Sequence, residues 1–143
     1  MNAGSPDFAM LRKVVEIVGG RNVVAVDTIA HIKPEDEGQI IMTGSHGGIS
    51  SGEYAGRVPI AVVFFNDAGI GKDEAGTASL PYLQKRGIIA GTVSHDSALI
   101  GNALETWNYG VISALNSLAV EAGFSIGEPV MMAVRRIYGG RQS

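Results

Sequence analysis

Cysteine is absent from the 143-residue chain. That excludes a disulfide scaffold, a thiolate zinc site and a cysteine nucleophile together. Positive charge is scarce as well: 11 lysines and arginines stand against 14 acids, for a net charge of −3, and the pI is near 5.5. A nucleic-acid footprint asks for the opposite balance. No stretch approaches the roughly 18 consecutive apolar residues of a membrane span. No basic segment followed by an apolar one opens the chain, so the expectation is a cytoplasmic protein without a secretory signal. Internal repeats, linkers and charge blocks are missing too.

What is present is the composition of a globular domain, 45% hydrophobic and 17% charged. One α/β domain is expected over 1–143, with 1–4 and 139–143 as loose termini. Glycine is plentiful, at 20 residues, about twice its average usage. The glycines gather after apolar runs, where a tight backbone or a close ligand needs them.

Three such runs organise the chain. Gln39–Thr43 leads into Gly44-Ser45-His46-Gly47-Gly48. Ile60–Phe65 leads into Asn66-Asp67-Ala68-Gly69-Ile70-Gly71-Lys72-Asp73. Ile88–Val93 leads into Ser94-His95-Asp96-Ser97. Each reads as a buried strand opening into a polar loop. In a parallel sheet the three loops share the carboxyl edge, where open α/β folds place ligands.

The other segments are read by period and punctuation. Ser5-Pro6-Asp7 is a helix start, and Phe8, Leu11, Val14, Val15 and Val18 continue at helical spacing to Gly19-Gly20. Asn22–Val26 is a strand. Thr28–Glu37 is short for a crossover helix, so the next strand either pairs antiparallel or is reached by a single helical turn. Ser50 with Glu53 makes a capping box for a helix to about Arg57. A helix from about Asp73 to Lys85 carries Pro81, which predicts a kink or a late start. Asn102 and Glu105 open a long helix to about Ala122, with Leu104, Trp107, Val111, Leu115, Leu118 and Ala122 as its buried stripe. Pro129–Ile137 reads as a last strand. The expected architecture is a three-layer α/β/α sandwich around a mostly parallel sheet of about five strands.

His46 and His95 each follow a serine at a strand end, and imidazole suits proton transfer near neutrality. Either could instead be a loop histidine shaping its turn. Asp67 ends the central strand, placed to orient a histidine or to close its own loop as an Asx turn. Gly69-Ile70-Gly71-Lys72 offers amides and a positive charge to a carboxylate or phosphate. It is not a P-loop, because the G-x-x-x-x-G-K-[ST] spacing fails. Asp96 reads as a cap or turn residue and His31 as a surface histidine. Gly48-Ile49-Ser50-Ser51-Gly52 has the letters of the nucleophile elbow, but Ser50 falls beyond the strand end, where capping accounts for it. Trp107, Tyr109 and Phe124 read as core or interface. No dinucleotide fingerprint follows the first strand.

Over about Ile40–Gly69, the order strand, Ser45-His46-Gly47, second strand resembles that of caspase-like cysteine peptidases, where the second strand leads to the nucleophile. Here that position holds Asn66-Asp67, so the resemblance is one of architecture and implies no peptidase.

The expected function is an enzyme on a small anionic or amide metabolite, a hydrolase first and a lyase or isomerase next. His46 and His95 move protons and Asp67 orients. Ser45, Gly47, Gly71, Lys72, Ser94 and Asp96 bind substrate. No cofactor or metal is required. One alternative is a non-catalytic ligand-binding or subunit domain with the same crevice. Another is a mononuclear metal enzyme using His46, Asp67 and His95. The partner expected is a small-molecule anion, with neither nucleic acid nor membrane. The mean hydropathy of +0.18, with Met131-Met132 and Ile137 near the C-terminus, suggests a homo-oligomer.

Overall fold

Two consecutive glycines set the first strand pair. In the computed structural model, which describes residues 11–139, Gly19 and Gly20 take φ of 59° and 83°. A two-residue hairpin turn of the primed kind needs such a left-handed pair. It joins β1 (Arg12–Val18) to β2 (Arg21–Val26) as antiparallel neighbours. The spacing of Leu11, Val14, Val15 and Val18 predicts a helix here instead. The segment is rich in β-branched residues, which favour a pleated surface, and pairing with β2 prevails. The expected helix start at Ser5-Pro6-Asp7, the loose 1–4 and the tail 140–143 lie outside the described residues. Gly139, expected in that tail, is the last residue of a helix.

From β2 the chain reaches β3 (Ile40–His46) through two 3-10 turns, Ile29–His31 and Pro34–Asp36, and pairs with it in parallel. Of the two predicted connections, the helical turn is the one found. Asp36, 2% exposed, pins the crossover. It accepts two hydrogen bonds from Arg12 (2.9 and 2.7 Å) and one from the Lys33 N–H (2.8 Å). The hydrogen bond to Asp36 in turn raises the Arg12 pKa.

Two βαβ units follow: α1 (Ile49–Ala55) leads to β4 (Val62–Asn66), and α2 (Ser79–Lys85) leads to β5 (Ile89–Val93), all parallel. Successive right-handed crossovers that add strands in one direction lay both helices on one face. There Ala55, Leu80 and Leu83 pack with Val63 and Phe65. Gly48 is the cap residue of α1, with no side-chain cap hydrogen bond, so the Ser50–Glu53 box does not form. Ser50 sits inside the first turn, past the capping position. Pro81 lies in the first turn of α2, and the helix starts late behind a 3-10 stretch, Lys72–Thr77.

The predicted long helix is broken into α3 (Ala103–Tyr109), β6 (Ile112–Leu115) and α4 (Ser117–Ala122). Asn102 does cap α3, accepting from the Glu105 N–H at 3.0 Å. Gly110 then stops it: a Cβ there would run into the Thr106 carbonyl and the Val93 side chain. Val111 and Ile112 are β-branched, and Asn116 starts a new helix by accepting from the Ala119 N–H. Pro129–Ile137 forms α5 (Val130–Gly139) rather than a strand. Proline at the entry suits a helix, and Val130, Ala133 and Val134 share its buried face.

The sheet is therefore six-stranded and mixed, in the order β1-β2-β3-β4-β5-β6. It is parallel from β2 to β5 and antiparallel at both edges. The count is six rather than about five because Arg12–Val18 and Ile112–Leu115, read as helix, are strands, while Pro129–Ile137, read as a strand, is helix. On the face opposite α1 and α2, Trp107 of α3 and Val134 of α5 pack with Val62 and Phe64. Phe124 meets Phe64 edge-on, with ring centroids 5.2 Å apart. Among the described residues, no helix is long and apolar enough to cross a membrane.

The two ends of the fold meet where Arg135 of α5 forks onto Glu16 of β1, at 2.8 and 2.7 Å. These bonds hold the Glu16 carboxyl below its ordinary value of 4.5. A carboxylate with a depressed folded-state pKa adds stability above its unfolded pKa and loses it as pH falls through the folded one. The pair is partly exposed, so solvent screening keeps its worth below about 1 kcal/mol. Glu16→Gln is expected to lower neutral-pH stability by no more than that and to flatten the loss of stability below pH 4.5. Urea unfolding across the acid range measures both.

Candidate functional site

The parallel register brings three strand ends together. His46 of β3 pairs with Asn66 of β4, and Asn66 with Val93 of β5. The loops carrying His46, Asp67 and His95 thus stand side by side on the carboxyl edge. Two strand spacings separate β3 from β5, roughly 10 Å of backbone, and the loop after Asn66 runs between the histidines.

That loop folds back onto the end of β3. The Gly47 N–H donates to the Asn66 carbonyl (2.9 Å), and the Gly47 carbonyl accepts from the Ser79 N–H (2.9 Å). A Cβ on Gly47 would collide with the Gly76 carbonyl oxygen, and one on Gly76 with the Asp67 carbonyl oxygen. Only glycine at both positions permits this approach. The loop also holds Ala68, Ile70, Asp73 and Glu74 at positive φ, between 51° and 69°. For a β-branched residue such as Ile70 this is a genuine outlier. Such residues cost on the order of 1–3 kcal/mol each and persist where the surroundings over-determine them. Here the Gly69 N–H donates to Asp67 Oδ1 (2.8 Å). The Ile70 N–H donates to the Asp67 carbonyl (2.6 Å), Gly71 N–H to the Gly69 carbonyl (2.8 Å) and Gly76 N–H to the Ile70 carbonyl (2.6 Å).

His46 is exposed, and its Nδ1 accepts from the Gly48 N–H at 3.0 Å. A ring nitrogen that accepts carries no proton, so the neutral ring is protonated at Nε2 and donates from there. A hollow of about 400 Å³ opens beside it, walled by Ile49, Ala68, Ile70 and Ala78, with Ser50 at its side. Gly71 belongs to this lining and Lys72 does not.

His95 lies on the far side of the loop, its ring against Gly69. Its Nδ1 is 3.5 Å from Oδ1 of buried Asp67, and its Nε2 is 3.3 Å from Oδ1 of exposed Asp96. The same Asp67 oxygen accepts the Gly69 and His95 N–H groups at 2.8 and 3.1 Å. Asp67 thus closes its own loop and also sits where it can orient an imidazole. Ser45 Oγ accepts from the Ile29 N–H (2.9 Å), tying the crossover to β3. Ser94 Oγ accepts from the Ser97 N–H (3.2 Å) within its turn. Lys72 is exposed at the start of the 3-10 stretch, and His31 is exposed on the crossover.

His46 lines the hollow with Ala68 and Ile70, whereas His95 stands against Gly69 and Asp67. Among the described residues no three His, Asp or Glu side chains converge as metal ligands, so a shared centre of His46, Asp67 and His95 is not formed. The order that resembles caspase-like peptidases is kept in space. The residue opposite His46 is Asn66, fully buried, donating from its amide to the Ala98 carbonyl (2.8 Å) and accepting from the Ala68 N–H (2.8 Å). An amide held at both ends is no nucleophile. Sequence reasoning named Asn66 as the residue at the nucleophile position but gave neither it nor the wall residues Ile49 and Ile70 a role in the site. The signal for Asn66 was a polar residue ending a wholly apolar strand.

Comparison with known proteins finds no matching family model, no matching curated protein and no matching solved structure.

The glycine contacts lead to a direct expectation. Gly47→Ala should destabilise the protein by about 1–3 kcal/mol, the range for overpacking. In hydrogen exchange the added loss of protection should centre on residues 66–78. An unchanged melting temperature would contradict the close approach described.

Proposed function

We propose that the chain binds a small molecule at the carboxyl edge of its sheet, with His46 as the hydrogen-bond donor that fixes a carbonyl-type oxygen. The observation that carries this reading is the bond from the Gly48 N–H to His46 Nδ1, which leaves Nε2–H free beside the hollow. A general base needs the opposite wiring, with Nδ1 donating to a carboxylate and Nε2 bare. His46 is therefore suited to holding or polarising an acceptor rather than to taking a proton. The helices on both faces, read as a three-layer α/β/α sandwich, supply a rigid platform for the loops.

A second reading keeps acid–base catalysis, as a hydrolase, lyase or isomerase on a small anionic or amide metabolite. One observation favours it: the His95 Nδ1 lies 3.5 Å from Asp67 Oδ1, with Asp67 buried. There Asp67 would orient the ring and Nε2, which faces the exposed Asp96 carboxylate at 3.3 Å, would exchange protons with substrate, with exposed Lys72 available to a charged substrate.

Two measurements test the first reading. At a pH where the ring is neutral, ¹⁵N spectra should show His46 protonated at Nε2 and bare at Nδ1. The reverse tautomer would sink it. Small carbonyl compounds that bind should shift the His46 ring and the Ala68–Gly71 amides, and His46→Ala should weaken them at least about tenfold, the worth of a hydrogen bond whose partner is lost. The second reading is tested by His95→Gln. Turnover of a substrate found by screening should fall by roughly 10²-fold or more if His95 is the base; wild-type turnover rules the role out.

A further inference from the structure

We infer that the ligand of the His46 hollow is an uncharged carbonyl compound with a short aliphatic body, such as a simple amide, rather than a carboxylate or phosphate; the inference rests on the binding reading of that site. The walls decide it first. Ile49, Ala68, Ile70 and Ala78 present carbon, and the polar side chains among the lining residues are His46 and Ser50 alone, with no lysine, arginine, aspartate or glutamate. A hollow of about 400 Å³ is at the small end of ligand sites.

The loop amides decide it next. An anion at a glycine-rich loop is held by outward N–H groups. Those of Gly69, Ile70, Gly71 and Gly76 are all spent on bonds inside the loop, to Asp67, Gly69 and Ile70. The nest that Gly69–Gly71 suggests is thus closed. The local field points the same way: between residues 67 and 77, Lys72 is the single cation and Asp67, Asp73 and Glu74 are acids. Negative potential of this kind keeps anions away from an open site. Among its side chains the hollow offers one imidazole, one hydroxyl and alkyl walls. A carbonyl oxygen takes the first, an amide N–H is met by the second, and an alkyl chain fills the rest.

The test is an NMR titration of the full chain with acetamide, propionamide and butyramide, alongside butyrate and methyl phosphate as charged probes. The His46 ring and the Ile49 and Ile70 methyls are the reporters. Affinity should rise about fourfold for each added methylene, the gain expected when each is withdrawn from water. Butyramide should bind at least about tenfold more tightly than butyrate. Ile49→Ala, a half-exposed position, should remove most of the chain-length gain without unfolding the protein. Butyrate or methyl phosphate binding as tightly as butyramide, or affinities that do not change with chain length, would overturn the ligand class alone. Silence of the His46 reporters with every probe would overturn the binding reading as well.

Discussion

The carboxyl edge of the sheet depends on one steric constraint, the stacking of Gly47 on the Gly76 carbonyl and of Gly76 on the Asp67 carbonyl. Backbone lies directly on backbone there, with no side chain between. That approach lets the Asp67–Thr77 loop settle over the end of β3, and it carries Ala68 and Ile70 to their places beside His46. The strained φ angles of Ala68, Ile70, Asp73 and Glu74 belong to the same constraint. A loop free to relax would leave these conformations. The bonds from Gly69, Ile70, Gly71 and Gly76 hold it in them, and in doing so use up the amides that a ligand might have claimed.

The two Ser-His pairs look alike in sequence and are wired differently. After His46 comes Gly47-Gly48, and the bare backbone of Gly48 turns its N–H back to Nδ1. After β5 the chain meets Asp67 from the neighbouring loop, so the Nδ1 of His95 faces a carboxylate. The first environment makes Nε2 a donor, whereas both ring nitrogens of His95 face carboxylates, Nδ1 toward Asp67 and Nε2 toward Asp96.

The sheet's centre was legible in sequence, because β3, β4 and β5 are uninterrupted apolar runs closed by polar glycine-bearing loops. Their adjacency followed from the parallel reading. Three other segments were not legible, for a common reason. Val14, Val15 and Val18, and likewise Val111 and Leu115, repeat at spacings that suit a helix, yet β-branched content and neighbouring strands decide otherwise. In Pro129–Ile137 the same ambiguity ran the other way, and a helical face of Val130, Ala133 and Val134 won. At the site, the loops and their histidines could be read, since polar residues at apolar strand ends are conspicuous. Which nitrogen of each ring is engaged, and that the Gly69–Gly71 amides are internally satisfied, are facts of tertiary packing that no local pattern encodes.

The sheet adds its strands in chain order, each beside the one before it. Pairing of this kind asks for short loop closures at every step, and the entropy of closing a loop grows with its length. A nascent chain leaving the ribosome can therefore extend the sheet one strand at a time, beginning from the Gly19-Gly20 hairpin. The exception is the Arg135–Glu16 clasp, which joins residues 119 positions apart. It cannot form until α5 is in place, and it fastens that helix to β1.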